Sequence, residues 1–317
     1  MKYLDLKAHD GSLIHTSRIA IGSTMSMERL SSEEKFRLYD CFTEQGGNCI
    51  DTARAYSGGR AEEMVGTYLH SRGCRGKIVI STKGGHPGEH IQGSWLAREN
   101  LLSELETSLK TLGTDYVDYY WIHKDDPNTS IEELVDTINL IVKQGKARMV
   151  GASNFTTERF RAAAAYAKET GQVTFAASQI QWSLAATEDK HLAMFGSLTM
   201  TRERYDYYME NGIPVFAFSS QAQGFFQKVA AGGIESVPPF IAEQYDSEVN
   251  MKRLALLKRY AREHNCSLSA ASLGYLIYNK LPCVAVIGAS SVEMLGQSLE
   301  AAELDMTAEE ADALVRV

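Results

Sequence analysis

Short apolar runs rich in β-branched residues recur along the chain: "RIAIG" (18–22), "NCID" (48–51), "KIVISTK" (77–83), "YVDYYWIH" (116–123), "ARMVGAS" (147–153), "VTFAASQIQ" (173–181), "IPVFAFS" (213–219) and "CVAVIG" (283–288). Each has the length of a strand, and their near-continuous apolarity is that of strands buried on both faces. Helix-period segments lie between them. In "SWLARENLLSELETSLKTLG" Leu101, Leu102, Leu105, Leu109 and Leu112 share one face, and Gly113 supplies the stop. Ser31 with Glu34, and Ser130 with Glu133, have capping-box spacing ahead of two further amphipathic segments.

Eight strands alternating with helices predict an α/β fold, a closed (β/α)8 TIM barrel with parallel strands inside and helices outside. A doubly wound open sheet is the alternative. It calls for a glycine-rich fingerprint after the first strand, and "IAIGSTMSMERL" contains neither G-x-G-x-x-G nor a P-loop. Ahead of the first barrel strand, "YLDLKA" and "SLIHTS" flank the turn "HDG", which predicts an N-terminal β-hairpin laid across the barrel bottom.

Composition narrows the class. With 317 residues, six prolines and no Ser/Gly/Pro-rich linker, the chain reads as a single domain over 1–317. Forty acidic residues against 32 basic give a net charge of −8, which opposes binding to nucleic acid or to an anionic membrane surface. "MKYLDLKAHDG" carries no apolar signal core, and no run reaches the roughly 20 apolar residues of a membrane span, so a cytoplasmic protein is expected. Cys41, Cys49, Cys74, Cys266 and Cys283 are odd in number and lack C-x-x-C spacing, as reduced structural thiols do.

In a barrel of this kind the reacting groups come from the C-terminal strand ends and the loops beyond them. The residues there are Asp51, Lys83, His123, Ser153 with Asn154, Gln179, Ser219 and Gly288. Asp51, Lys83 and His123 are each about one β-loop-α unit apart, so they end adjacent strands and converge at the mouth, over which Tyr56 can hang from the loop after Asp51. A lysine at the end of a buried strand needs a carboxylate, and Asp51 is available. Its ammonium, beside Tyr56, is expected to favour phenolate and draw that pKa from about 10 toward neutrality. His123 is suited to polarising a carbonyl. Such a site delivers a proton to a carbonyl oxygen as charge develops there, and the electrons are expected as hydride from a cofactor.

These residues sit in segments that resemble the aldo-keto reductases over nearly the whole chain. "DTARAYSGGRAEEMVG" is similar to that family's first signature and "ISTKGG" carries its lysine. "LGTDYVDYYWIHKDDP" resembles the segment leading to its histidine, "GKARMVGASNF" its Gly-Lys and Ser-Asn motif, and "IPVFAFSSQAQGFF" its strand-seven loop. The resemblance implies a catalytic tetrad of Asp51, Tyr56, Lys83 and His123, with Tyr56 as general acid in reduction and general base in oxidation. It implies NADP, with NAD as the alternative, lying across the mouth without a Rossmann module. Cofactor contacts would come from Gly22 and Thr24, from Ser153, Asn154 and Gln179 at the nicotinamide carboxamide, and from Phe218 where relatives stack a tyrosine. Ser219, Gln221 and Gly224 match the pyrophosphate loop, although the usual Ser-Pro-Leu is Ser-Ser-Gln here. After the last strand this chain has Gly288 and Met294 where many relatives place a cation for the 2′-phosphate. Ser290 and Ser291 remain as phosphate donors at the start of the next helix. Gln297 and Ser298 replace the usual Glu-Asn at adenine.

Each residue also has a bland reading. Asp51 with Lys83 alone is a structural ion pair, Tyr56 a loop anchor, and His123 a strand-end histidine; their joint occurrence at successive strand ends favours the reductase-like site. His86 and His90 are four apart, but Pro87 and Gly88 oppose a helical metal site, so no metal is expected. His86 and Trp95 are assigned instead to the substrate entrance. Asp125 and Asp126 read as a solvated loop, and the aromatics of "RYDYYME" and "GFF" as packing under a long loop. The expected activity is reduction of an aldehyde or ketone, sugar-like among the candidates, by a protein that is possible as a homo-oligomer. The alternatives are a non-catalytic nucleotide-binding regulatory subunit and a metal-dependent sugar isomerase or epimerase.

Overall fold

The computed structural model describes residues 1–23, 27, 29–88 and 93–317. Eight parallel strands close into a barrel: β3 (Ile19–Gly22), β4 (Cys49–Asp51), β5 (Val79–Gly84), β6 (Val117–Ile122), β7 (Ala147–Ser153), β8 (Ser178–Gln181), β9 (Val215–Phe218) and β10 (Cys283–Ile287). They are hydrogen-bonded in chain order, and β10 pairs with β3 to complete the ring. All eight predicted runs hold a strand. The run from 173 ladders only from Ser178, because Phe175 turns into the outer core and the backbone before it touches β7 through single bonds, such as Ala176 N to Val150 O at 3.0 Å.

The two strands before the barrel, β1 (Tyr3–Lys7) and β2 (Leu13–Ser17), form the expected antiparallel hairpin in the register Tyr3↔Ser17 to Lys7↔Leu13. Leu6, Ala8 and Ile14 bury themselves against Ala20, Cys49, Val79, Tyr119, Met149 and Val284, the apolar lining of the barrel interior. The hairpin therefore plugs the end where the strands begin. A second, larger core lies between the outer face of the strands and the helices. The helix Arg98–Leu112 shows how sequence sets that layer: Leu101, Leu105, Leu109 and Leu112 are buried, and Gly113 ends the helix at φ 67°. Ser31 and Glu34 form a reciprocal capping box, whereas Ser130 caps its helix by accepting from Glu133 N.

Two expectations are corrected. "RYDYYME" lies in a helix, Arg202–Asn211, with Tyr207 and Tyr208 buried against the barrel, and "GFF" opens another at Phe225. In the first the periodicity is masked by polar residues around Tyr207 and Tyr208; the second is only eight residues long. Among the described residues no helix is long and apolar enough to cross a membrane. The five cysteines are free, with Cys49 and Cys283 buried in strands.

Candidate active site

Register places the site. Parallel pairing sets Gly22 beside Asp51, Asp51 beside Ser81, and Lys83 beside Trp121, so Asp51, Lys83 and His123 arrive together where the strands end. The Lys83 ammonium donates to Asp51 Oδ2 at 2.6 Å and to the Thr52 carbonyl at 2.7 Å. Both side chains are buried. The other carboxylate oxygen accepts from Ser81 Oγ at 2.7 Å and from Gln179 Nε2 at 3.0 Å, and Ser81 Oγ in turn accepts from Trp121 Nε1 at 2.8 Å. Every lone pair that faces the core has a donor, which is the condition for burying an ion pair.

Tyr56 reaches the pair from the turn beyond β4. Thr52 N donates to Ser81 O and Arg54 N to Lys83 O, which carries the chain along β5 before it turns. The turn Tyr56–Gly59 is left-handed at Ser57, Gly58 and Gly59, and a Cβ on Gly59 would meet Arg54 Nη2 at 1.6 Å, so only glycine fits there. Arg54 is held by the buried Glu62 at 2.9 Å, and Glu62 accepts from Thr82 Oγ1 at 2.6 Å. This fixes Tyr56 with the Lys83 ammonium 4.6 Å from its ring centroid and the His123 ring 5.7 Å away, edge on. All four residues expected to act together are in one cluster.

The charges behave differently from the expectation at one point. Burial raises the Tyr56 phenol above its usual 10; Lys83 pulls it down, but that pull, opposed also by Asp51, does not outweigh burial. A linear sequence shows the cation and hides the desolvation. Lys83 is pushed down by burial and carried above its usual value by Asp51 and Tyr56. His123 is held well below the usual histidine range by burial first, then by Lys83, His86 and Lys124, so its ring is neutral; among the described residues its buried Nδ1 has no hydrogen-bond partner. A protonated phenol, a neutral imidazole and a fixed ammonium around one opening can together bind and protonate a carbonyl oxygen.

The remaining candidates surround this cluster. His86 lies with its ring 4.9 Å from His123, and Trp95 donates its indole N–H to the Lys124 carbonyl at 3.3 Å, so both flank the mouth. His90 and Thr24 lie outside the described residues. Among the described residues, no group of three His, Cys, Asp or Glu is placed to hold a metal. Asn154, left-handed at φ 61°, donates to Ser153 Oγ at 2.9 Å and accepts from Leu198 N at 3.0 Å. Gln179 gives its amide N–H to Asp51, tying it to the ion pair. Asp126 is buried rather than solvated. It accepts from Ser94 Oγ at 2.6 Å and from Asn128, while Asp125 pairs with Arg159 at 2.8 Å. Of these partners only Asn128 is a neighbour in sequence.

The loops after β9 and β10 form the other half of the mouth. After β9 the residues Ser219, Ala222, Gln223 and Gly224 are left-handed, three of them not glycine, a costly arrangement that folds the loop into a tight rim at the strand end. Lys228, which sequence reasoning missed, donates to the Gln223 carbonyl and brings an ammonium to that rim. Its spacing, one helical turn past Gly224, was the available signal. Phe218 is partly exposed at the strand end. Gln221 Oε1 accepts from Ser298 Oγ at 3.3 Å, which joins this loop to the segment after β10. There Gly288, Ser290, Ser291, Met294 and Gln297 are exposed, Ser291 caps the helix Val292–Leu299, and Met294 Sδ accepts from Ser290 Oγ. Gly22 lies against β10, where a Cβ would sit 3.3 Å from the Ile287 carbonyl.

The chain resembles known proteins over nearly its whole length. A family model described as "Aldo/keto reductase family" matches residues 18–317. An aryl-alcohol dehydrogenase of Pestalotiopsis microspora is 28% identical over 90% of this chain and 72% of its own length. The aldo-keto reductase ausK of Emericella nidulans is 27% identical over 96% of this chain and 78% of its own. An Arabidopsis thaliana protein bearing the name "Probable voltage-gated potassium channel subunit beta" is 26% identical over 92% of this chain and 89% of its own.

Proposed function

The chain belongs to the aldo/keto reductase family, and from that premise we propose that it is a single-domain NAD(P)H-dependent reductase of aldehydes or ketones in which Tyr56 is the general acid. The observation that carries the proposal is the buried Lys83–Asp51 pair at 2.6 Å, with the Tyr56 ring 4.6 Å from the same ammonium. The left-handed rim after β9 and Lys228 support a pyrophosphate-bearing cofactor, NADP in first place and NAD in second. The bound dihydronicotinamide would supply the hydride. The chain's own residues do the rest. His123, neutral, donates a hydrogen bond that orients the carbonyl oxygen; Tyr56 gives that oxygen its proton; Lys83 stabilises the phenolate left behind; Asp51 holds Lys83 in place.

The entrance favours an aromatic substrate over a sugar. Tyr56, His86 and His123 form a group of rings with Trp95 beyond, and the acids that would contact a polyol are already engaged by Arg159, Ser94 and Asn128. The name of the Pestalotiopsis relative supports the same class. We therefore read the substrate as an aryl aldehyde and its alcohol. A regulatory nucleotide-binding role is the second reading, favoured by the name of the Arabidopsis relative.

The test is a titration of tryptophan fluorescence with NADPH and with NADH, followed by an assay with benzaldehyde. Micromolar binding with turnover is expected. Binding without turnover across a panel of carbonyls favours the regulatory reading, and binding of neither nucleotide by folded protein overturns both.

A further inference from the structure

The loop between β8 and the helix Arg202–Asn211 is anchored along its returning limb. Gln181 N donates to Leu198 O at 3.1 Å and Met200 N to Gln181 O at 2.8 Å; Leu198 N reaches Asn154, and Thr199 N reaches Asp189, which pairs with Arg204 at 2.8 Å. The tip, 193–197, is bonded mainly to its own turn, with Phe195 N to Leu192 O at 2.9 Å and Gly196 N to Ala193 O at 2.9 Å. Among the described residues, the hydrogen bonds that reach the tip from another element come from Lys124. Its ammonium donates to Phe195 O at 2.6 Å, Gly196 O at 2.9 Å and Ser197 Oγ at 2.7 Å.

Lys124 directly follows His123, and its own carbonyl holds the Trp95 indole. The neighbouring carboxylates do not neutralise it: Asp125 faces Arg159 and Asp126 faces Ser94. Burial without a counter-charge lowers its pKa to about 8. Three charge-assisted hydrogen bonds from one ammonium hold the segment without an ion pair. The segment it holds carries Met194 and Phe195, 85% and 63% exposed, and is tied to the strand end through the residue after His123.

We propose that Lys124 is a positioning residue, a latch that fixes the tip 193–197 against the substrate side of the mouth and so makes Phe195–Ser197 the outer wall of the carbonyl pocket. The identity of the ligand rests on the reductase reading; the latch itself does not. Loss of the ammonium would free the tip while leaving the Asp51–Lys83 pair and the loop after β9 untouched.

The experiment compares the intact protein with Lys124→Met and Lys124→Arg, after circular dichroism has shown that each folds. Amide hydrogen exchange at 194–197 should quicken about tenfold in Lys124→Met and return toward the unaltered value in Lys124→Arg, whose guanidinium still donates to carbonyls. KM for benzaldehyde should rise about tenfold in Lys124→Met, with kcat, KM for propanal and NADPH affinity within about twofold. Unchanged exchange, or equal losses for every substrate, overturns the latch. If the unaltered enzyme turns over no carbonyl while the exchange result holds, the latch stands and the reductase reading falls. Should Lys124→Met not fold, Ser197→Ala removes one acceptor and must still quicken exchange at the tip; no change there also overturns the proposal.

Discussion

The barrel buries an aspartate near each end, and the two differ in the cations they meet. At the bottom Asp118 accepts from Arg148 Nη1 at 3.0 Å, lies 3.2 Å from Arg75 Nη1, and accepts from Ile80 N at 2.9 Å. Arg148 also donates to the Leu13 carbonyl, so this network fastens the hairpin to the strands. At the mouth Asp51 meets Lys83 beside Tyr56, His123 and an opening. Guanidinium groups are always charged and fork onto carboxylate and carbonyl alike, which suits a fixture. An ammonium is a compact charge that responds to its surroundings, and Lys83 keeps one side toward a phenol that can change state. Depth of burial is the same for both aspartates, so burial alone does not distinguish them; an ammonium facing a phenol, with an imidazole beside it, does.

Removing groups at each end should separate the roles. The largest effect is expected from Tyr56→Phe, which should lower kcat for benzaldehyde reduction by about 10²–10⁴, the usual weight of a general acid, with NADPH affinity within about twofold. Steady-state kinetics with a parallel fluorescence titration check it, and retained turnover would remove Tyr56 from its role. The next effect is one of pH. Because burial holds the phenol above its ordinary value, reduction should stay flat across neutral pH, while alcohol oxidation, which needs the phenolate, should climb about tenfold per pH unit with no plateau below pH 10. A plateau near pH 7 would show that the Lys83 charge prevails. Smallest is Asp118→Asn, which should cost about 2–3 kcal/mol in urea unfolding, below the full figure for a buried pair because both arginines are partly exposed, and leave kcat within about twofold. A large loss of kcat there would end the distinction between the two ends.

The sequence was informative where a property is local. Strand runs, the hairpin turn, the Ser31 cap and the Gly113 stop depend on neighbours within a few residues, and each appears in the structure. The meeting of Asp51, Lys83 and His123 was also legible, since parallel pairing of successive strands converts regular spacing into adjacency. What depends on distant partners was not. Gln179 donates to Asp51 across 128 residues, Lys124 reaches a loop some 70 residues away in place of the acids beside it, and Asp126 is buried by Ser94. The Tyr56 phenol is the clearest case. Its cation was visible in the chain, and the desolvation that outweighs the cation exists only once the turn has folded over the barrel.

The hydrogen bonds beneath Asp51 also have a direction. They run from the Trp121 indole to Ser81 and from Ser81 to the carboxylate, and an indole N–H can give a hydrogen bond but accept none. The relay is thus closed on its inner side, where the apolar plug of Leu6 and Ile14 stands between it and the solvent below. If Tyr56 gives up a proton as proposed, this chain of bonds cannot return it from the barrel interior.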